Sequence, residues 1–275
     1  MATSATSDQL LVIIDSAARQ TDGESVRIAK DVLSAGAAAK LCLPEGPEEF
    51  ARALGRRGAR RPVVIGDGRA LARAVAVLHR RRELAGCPLS VVPVGDTALA
   101  ESLGVPGGAV AAARAVLDGV ERRLDLLVDD SDGVVLGTLG IPPAPVRETA
   151  AEPVPAVPGR PWYRSLVRTL APRPVRPATG PARLRVEVDG ATVIDLDQPV
   201  QAVSVTPGAD GVAAVEVRPL SVGAEATPLL ATGRTVTVTG TDFRYRADAS
   251  VTGPVRRRTW RVAEGAWGLV LPADR

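Results

Sequence analysis

The stretch Pro62-Val63-Val64-Ile65-Gly66-Asp67-Gly68-Arg69 decides the fold, together with a second stretch of the same design, Leu89-Ser90-Val91-Val92-Pro93-Val94-Gly95-Asp96-Thr97. Val63, Val64 and Ile65 are a short β-branched run of the kind that forms a buried parallel strand. The glycines on either side of Asp67 let the backbone turn sharply and come close to a ligand. Ala70 to Leu78 then supplies helix formers. A strand, a Gly-rich turn and a helix start present backbone N–H groups to phosphate. Leu89 to Val92 is a second strand, and its turn, Pro93 to Thr97, again leads into a helical pattern. Two such turns at the ends of parallel strands face one crevice.

The flanking sequence supports an open parallel sheet. Gln9 to Ile14 is an apolar strand breaking at Asp15, Ser25 to Leu33 is an amphipathic helix, and Ala39 to Leu43 is another strand. Pro47 opens a helix running through Leu54, with acids in its first turn. Gly107 to Asp118 reads as a helix and Arg122 to Val128 as a strand. Strand and helix alternate to this point, as in α/β folds. Asp129-Asp130-Ser131-Asp132-Gly133 lacks the spacing and the closing Glu of a calcium loop, so it reads as an acidic hairpin turn. Prolines then crowd residues 141–161, which reads as a linker or an extended surface loop. Trp162 to Leu170 reads as a short helix that either packs its aromatics between domains or sets Trp162 and Tyr163, with Arg164 and Arg168, against a membrane interface. From Ala182 onward, eight strand-like segments alternate with Gly, Pro and Asp turns. Asp189-Gly190 is a type I′ hairpin signal. The expected organisation is an α/β domain over 8–140, a Pro-rich linker over 141–181, and an antiparallel β-sandwich over 182–275.

With 275 residues and 45% hydrophobic content the chain can bury two cores, but aromatics make up only 3% of it, so those cores must be aliphatic. The formal charge is +3, carried almost wholly by arginine, since Lys30 and Lys40 are the only lysines. The Arg, Ala, Gly and Pro bias matches GC-rich coding and carries no functional weight. Arg80 to Arg82 and Arg256 to Arg258 lack interleaved aromatics, so no nucleic-acid partner is expected. Cys42 and Cys87 sit among apolar residues as small hydrophobes, and His79 completes no metal-ligand spacing with them. No apolar run approaches the roughly 18 residues of a membrane span, and the first residues do not read as a signal peptide. The expectation is a cytoplasmic protein.

The two Gly turns, the Leu103-Gly104-Val105-Pro106 that follows them, and the closing Ala266-Trp267-Gly268-Leu269-Val270-Leu271-Pro272 resemble the diacylglycerol kinase catalytic family, which includes sphingosine kinases and bacterial lipid kinases. The resemblance covers nearly the whole chain. It implies a two-domain fold of the lipid kinase and NAD kinase type, ATP with Mg as cofactors, a lipid or membrane surface as partner, peripheral placement at the inner membrane, and a homodimer. It also implies nucleotide contacts at Asp15, Gly66, Asp67, Gly68, Arg69, Gly95, Asp96 and Thr97, and catalysis at Asp248. The family's first motif is Gly-Gly-Asp-Gly-Thr, and here its first Gly is Ile65 and its Thr is Arg69. Its second carries an Asn-Asp pair that this chain lacks, being one residue shorter over Pro93 to Pro106. Its Asp-Gly-Glu turn is here Asp248-Ala249-Ser250. These departures imply ATP-dependent phosphorylation of a lipid hydroxyl that is weak or lost. The alternative is a non-catalytic relative that serves as a binding or scaffold protein.

Overall fold

The computed structural model describes residues 9–142, 182–220 and 227–273. The expected linker helix over Trp162 to Leu170 lies outside them. The chain opens with β1 (Gln9–Ile14), α1 (Ser16–Thr21), α2 (Gly23–Gly36), β2 (Ala38–Cys42), α3 (Pro47–Gly55), β3 (Arg61–Gly66), α4 (Gly68–Arg80), β4 (Ser90–Pro93), α5 (Ala98–Ser102) and α6 (Ala109–Asp118). The four strands form a parallel sheet in the order β2-β1-β3-β4. Past their first residues, Gln9 and Arg61, its central strands are buried and apolar because helices cover both faces. Helix starts are set by aspartates. Asp15, Asp22 and Asp67 each accept from a backbone N–H in the first turn of α1, α2 and α4, which satisfies donors that the helix itself leaves unpaired.

The second half contains β5 (Val120–Asp129), β6 (Val134–Val135), β7 (Leu139–Ile141), β8 (Ala182–Val188), β9 (Ala191–Ile194), β10 (Pro199–Pro207), β11 (Ala213–Pro219), β12 (Leu229–Gly233), β13 (Thr235–Ala247) and β14 (Ser250–Leu271). All ten belong to one antiparallel sheet. The sequence reading grouped residues up to 140 with the first unit, but β5, β6 and β7 hydrogen-bond into this second sheet. Asp189 and Gly190 both have positive φ, 49° and 85°, as a type I′ turn requires. The acidic turn after β5 is closed by Asp129, whose Oδ1 accepts from Ser131 N, Ser131 Oγ and Gly133 N at 2.7–2.8 Å.

Strands read as separate segments are continuous. Thr259 to Ala263 and Trp267 to Leu271 are one strand, β14, which passes from partner Leu126 to partner Leu124 of β5 across a bulge at Gly265. Gly265 has φ +51°, a conformation that costs a residue without Cβ little. Two β5 side chains hold the bulge: Asp125 accepts from Gly265 N at 2.7 Å, and Arg123 donates to Gly265 O at 2.6 and 3.0 Å.

The bulge lets β14 serve two cores. Trp260 is fully buried in the core of the second sheet, and Trp267 is fully buried in the core of the first unit. β5 is shared in the same way, with Leu126 in the first core and Leu127 in the second. Beyond Trp267, β14 runs beside the parallel sheet, where Leu89 N donates to Gly268 O at 2.8 Å and Leu89 O accepts from Val270 N at 2.9 Å.

Trp267→Ala should therefore cost about 3–5 kcal/mol, the range for deleting a buried large aromatic, as measured by urea unfolding followed by circular dichroism. A second test concerns Tyr245, buried against Trp260 with ring centroids 5.1 Å apart and its hydroxyl donating to Asp129 Oδ2 at 3.2 Å. Burial first, and then the Asp129 charge, raise its phenol from 10 to about 12. Above pH 10 the unfolded chain releases this proton and the folded one holds it, so stability falls as pH rises through 10 towards 12. Thermal melts of Tyr245→Phe across that window should show a shallower fall.

Candidate functional site

A cleft of about 620 Å³ lies between the first unit's turns and the second sheet. Its size suits a small organic ligand. One wall comes from the starts of α4 and α5, the other from β7, β10, β11 and the turn between β13 and β14. Of the residues expected at a nucleotide site, Gly68, Arg69, Asp96 and Asp248 line this cleft.

The others sit around it with local tasks. Asp15 follows β1 and is 7% exposed. Its Oδ2 accepts from Ala17 N, and its Oδ1 accepts from Arg73 Nη1 at 2.8 Å. Arg73 in turn lies over the Phe50 ring, 5.5 Å from its centroid. The Asp15 charge is thus neutralised by a cation from α4. Asp67 follows β3 and spends Oδ1 on Ala70 N at 3.0 Å. Gly95, with φ +92°, follows β4 next door and faces Asp67, where an added Cβ would lie 3.8 Å from the Asp67 Cβ. Thr97 Oγ1 donates to Glu101 Oε1 at 2.7 Å. Gly66 is packed, since a Cβ there would come within 2.8 Å of Ala70 Cβ. Ile65, at the position of the family motif's first Gly, is fully buried within β3 opposite Ile14 and Val92.

Asp248 occupies the turn between β13 and β14 with φ +50°. Its Oδ2 accepts from Leu136 N at 2.8 Å, and its Oδ1 from Gly137 N at 2.7 Å and Thr138 N at 3.1 Å. Its own N–H donates to Thr138 O at 2.9 Å. Burial pushes this carboxyl above its ordinary value, opposed by the three backbone donors. The carboxylate is the clip that holds the loop from β6 to β7 along the floor of the cleft.

Sequence reasoning missed Leu99. Its side chain fills the gap between the glycine turn and the clipped loop. A Cβ on Gly68 would stand 3.0 Å from Leu99 Cβ, and one on Gly137 would stand 2.7 Å from Leu99 Cδ1 and 3.3 Å from Asp248 Oδ1. Glycine at both positions lets Leu99 approach this closely, since a side chain at either would push against it. The available signal was the apolar Ala98-Leu99 in the region where the resembled family has Asn-Asp.

The charges in the cleft nearly cancel. Asp96 caps its own turn through Ala98 N at 3.1 Å, and Glu216 pairs with Arg218 at 2.6 Å. Arg246 also lines the wall, while Arg69 is exposed and has no ionic or hydrogen-bonded partner among the described residues. The remaining surface is largely aliphatic, with Leu99, Ile141 and Val203. Among the described residues no group of three or more His, Cys, Asp or Glu is placed to hold a metal ion. These side chains do not fit a magnesium–polyphosphate group, which needs a positive cradle and uncommitted carboxylates.

Replacing Asp248 by Asn leaves one acceptor oxygen and turns an NH2 group towards a backbone donor. Asp248→Asn should lower stability by about 1–3 kcal/mol, the cost of an unsatisfied buried polar group, as read by thermal melts. An unchanged melting temperature would show that the clip contributes nothing.

No family model matches the chain, and no curated protein matches it in sequence. Solved structures do match. Three from Bacillus anthracis str. Sterne, two named "putative diacylglycerol kinase" and one named as a diacylglycerol kinase, superpose with TM-scores of 0.68, 0.71 and 0.68 at 14%, 14% and 12% identity. Each match covers 97% of this chain and 97–98% of the other. At such identity the likeness is one of fold: the chain has the two-part architecture of these proteins, a parallel α/β unit followed by an antiparallel β unit.

Proposed function

We propose that this chain is a diacylglycerol-kinase-like protein in which phosphoryl transfer is weak or lost and the cleft is kept as a binding site for an amphiphilic, lipid-type ligand. The observation that carries this reading is Leu99, an apolar side chain between Gly68 and the Asp248-clipped loop. A transferring phosphate would have to pass there. Phosphoryl transfer needs a cradle for the phosphates, a counter-charge, and a carboxylate that orients the attacking hydroxyl. Asp15, Asp67 and Asp248 are each engaged by helix caps, Arg73 or backbone N–H groups. Losing one such acid or base commonly costs about 10²–10⁴-fold in rate. The aliphatic walls and the unpartnered Arg69 suit a ligand with an apolar body and an anionic or strongly polar head.

The second reading is an active lipid kinase with divergent loops. Arg69 favours it, because a free guanidinium at the first turn of α4 can pair with phosphate.

Radiolabelled ATP assays on diacylglycerol, ceramide and sphingosine micelles separate the two. Turnover should lie at least about 100-fold below the roughly 1 per second common among kinases. Calorimetric titration with ATP should give the same weak binding with and without magnesium. Turnover of about 1 per second or more, abolished by Asp67→Ala, would establish the active enzyme instead.

A further inference from the structure

The two edges of the parallel sheet are treated differently. The β4 edge is closed by β14 through the paired hydrogen bonds of Leu89 with Gly268 and Val270. The β2 edge is open among the described residues: β2 pairs there with β1 alone, and its residues are exposed or half-buried. Strands of a parallel sheet are ordinarily covered on both faces, so an uncovered edge presents a row of backbone donors and acceptors.

Beside this edge a groove of about 350 Å³ opens between β2 and α3. Lys40 and Cys42 line it from the strand, Arg52 lines it from α3, and Arg56 from the residue just past the end of α3. Glu49 is the single acid among the described residues that line it, and it is already engaged, accepting from Glu45 N at 3.0 Å and lying 3.8 Å from Arg52. Lys40 and Arg56 have no ionic or hydrogen-bonded partner among the described residues. A lone edge lysine is an ordinary guard against edge-to-edge pairing. Here three cations converge, and Leu41 and Leu43 beside them are 42% and 54% exposed.

We infer that β2 and α3 form a docking groove for an extended acidic segment of a partner protein, which joins the four-stranded sheet as an added strand. Backbone bonds to the free edge of β2 supply affinity, and alternate side chains of the incoming strand reach the groove. Charge selects its chemistry: carboxylates at those positions meet Lys40, Arg52 and Arg56. The same charges disfavour a second copy of this chain as occupant. A two-fold pairing of β2 with itself brings the two sets of cations together, and like charges facing across a strand pair are destabilising. The groove is separate from the cleft, so this inference stands whether or not the chain transfers phosphate.

The test is fluorescence anisotropy on the full chain with a labelled peptide of alternating valine and glutamate. The expected result is saturable binding that weakens at least about tenfold for Arg52→Glu/Arg56→Glu, and again when salt screens the charges. A peptide N-methylated at alternate backbone nitrogens should lose binding, which a purely electrostatic contact would not. Melting curves of the double variant confirm that it folds, and Lys40→Glu provides an independent reversal. The inference is overturned if the peptide does not bind at millimolar concentration, if a valine–lysine peptide binds as well, or if the reversals have no effect. It is equally overturned if the N-methylated peptide binds unchanged, or if the wild-type chain dimerises through an edge that the reversals abolish.

Discussion

The burial of β14 in two cores is the constraint on which the rest of the structure depends. One strand places Trp260 in the antiparallel unit and Trp267 in the α/β unit, and the bulge at Gly265 between them changes its course. Each tryptophan removes a large apolar area from water, so the two halves cannot separate without exposing one of them. The cleft inherits its position from this arrangement. β14 begins at the Asp248 turn, on the far wall of the cleft, and ends along the parallel sheet that supplies the near wall.

Within that scaffold the same residues explain both the helix geometry and the chemical character of the cleft. An aspartate at the end of a strand in an α/β unit can cap the next helix or meet a ligand, and here Asp15 and Asp67 cap. A carboxylate at a helix N-terminus occupies the partial positive charge that would otherwise attract phosphate. Asp248 is similarly occupied by three backbone donors. The acids near the cleft therefore act as mechanical fasteners. What remains for a ligand is an aliphatic surface with arginine at its margin, which is a different electrostatic problem from cradling a polyphosphate.

The charge distribution follows a similar logic across the molecule. Several arginines anchor loops and bulges: Arg123 at the Gly265 bulge, Arg73 on Asp15 and over Phe50, Arg57 on Glu83 at 2.6 Å. Arg258, from the Arg256 to Arg258 cluster, is 14% exposed and pairs with Asp130. Guanidinium suits this work because its planar fork bonds carboxylates and carbonyls at once. The contrast is the β2 edge, where lysine and arginine have little to anchor.

The sequence by itself determined the local structure of the first half. β-branched runs, helix periodicity and Asp or Gly punctuation act over a few residues, so β1, β3, α2, α3 and α4 are legible at close to their observed bounds. It also made legible the change from alternating strands and helices to dense strands and turns. Tertiary structure alone decided that β5 to β7 join the second sheet, because hydrogen-bond partners more than a hundred residues away are invisible to local pattern. It also joined the two halves of β14 across a bulge that in sequence reads as a turn. At the cleft, the family resemblance implied nine site residues, of which Gly68, Arg69, Asp96 and Asp248 line the cavity and Asp15, Gly66, Asp67, Gly95 and Thr97 do not, and the role of each carboxylate depended on which backbone N–H reached it. Leu99 makes the same point: its apolarity was plain, but only packing against Gly68 and Gly137 shows that it fills the space between turn and clip.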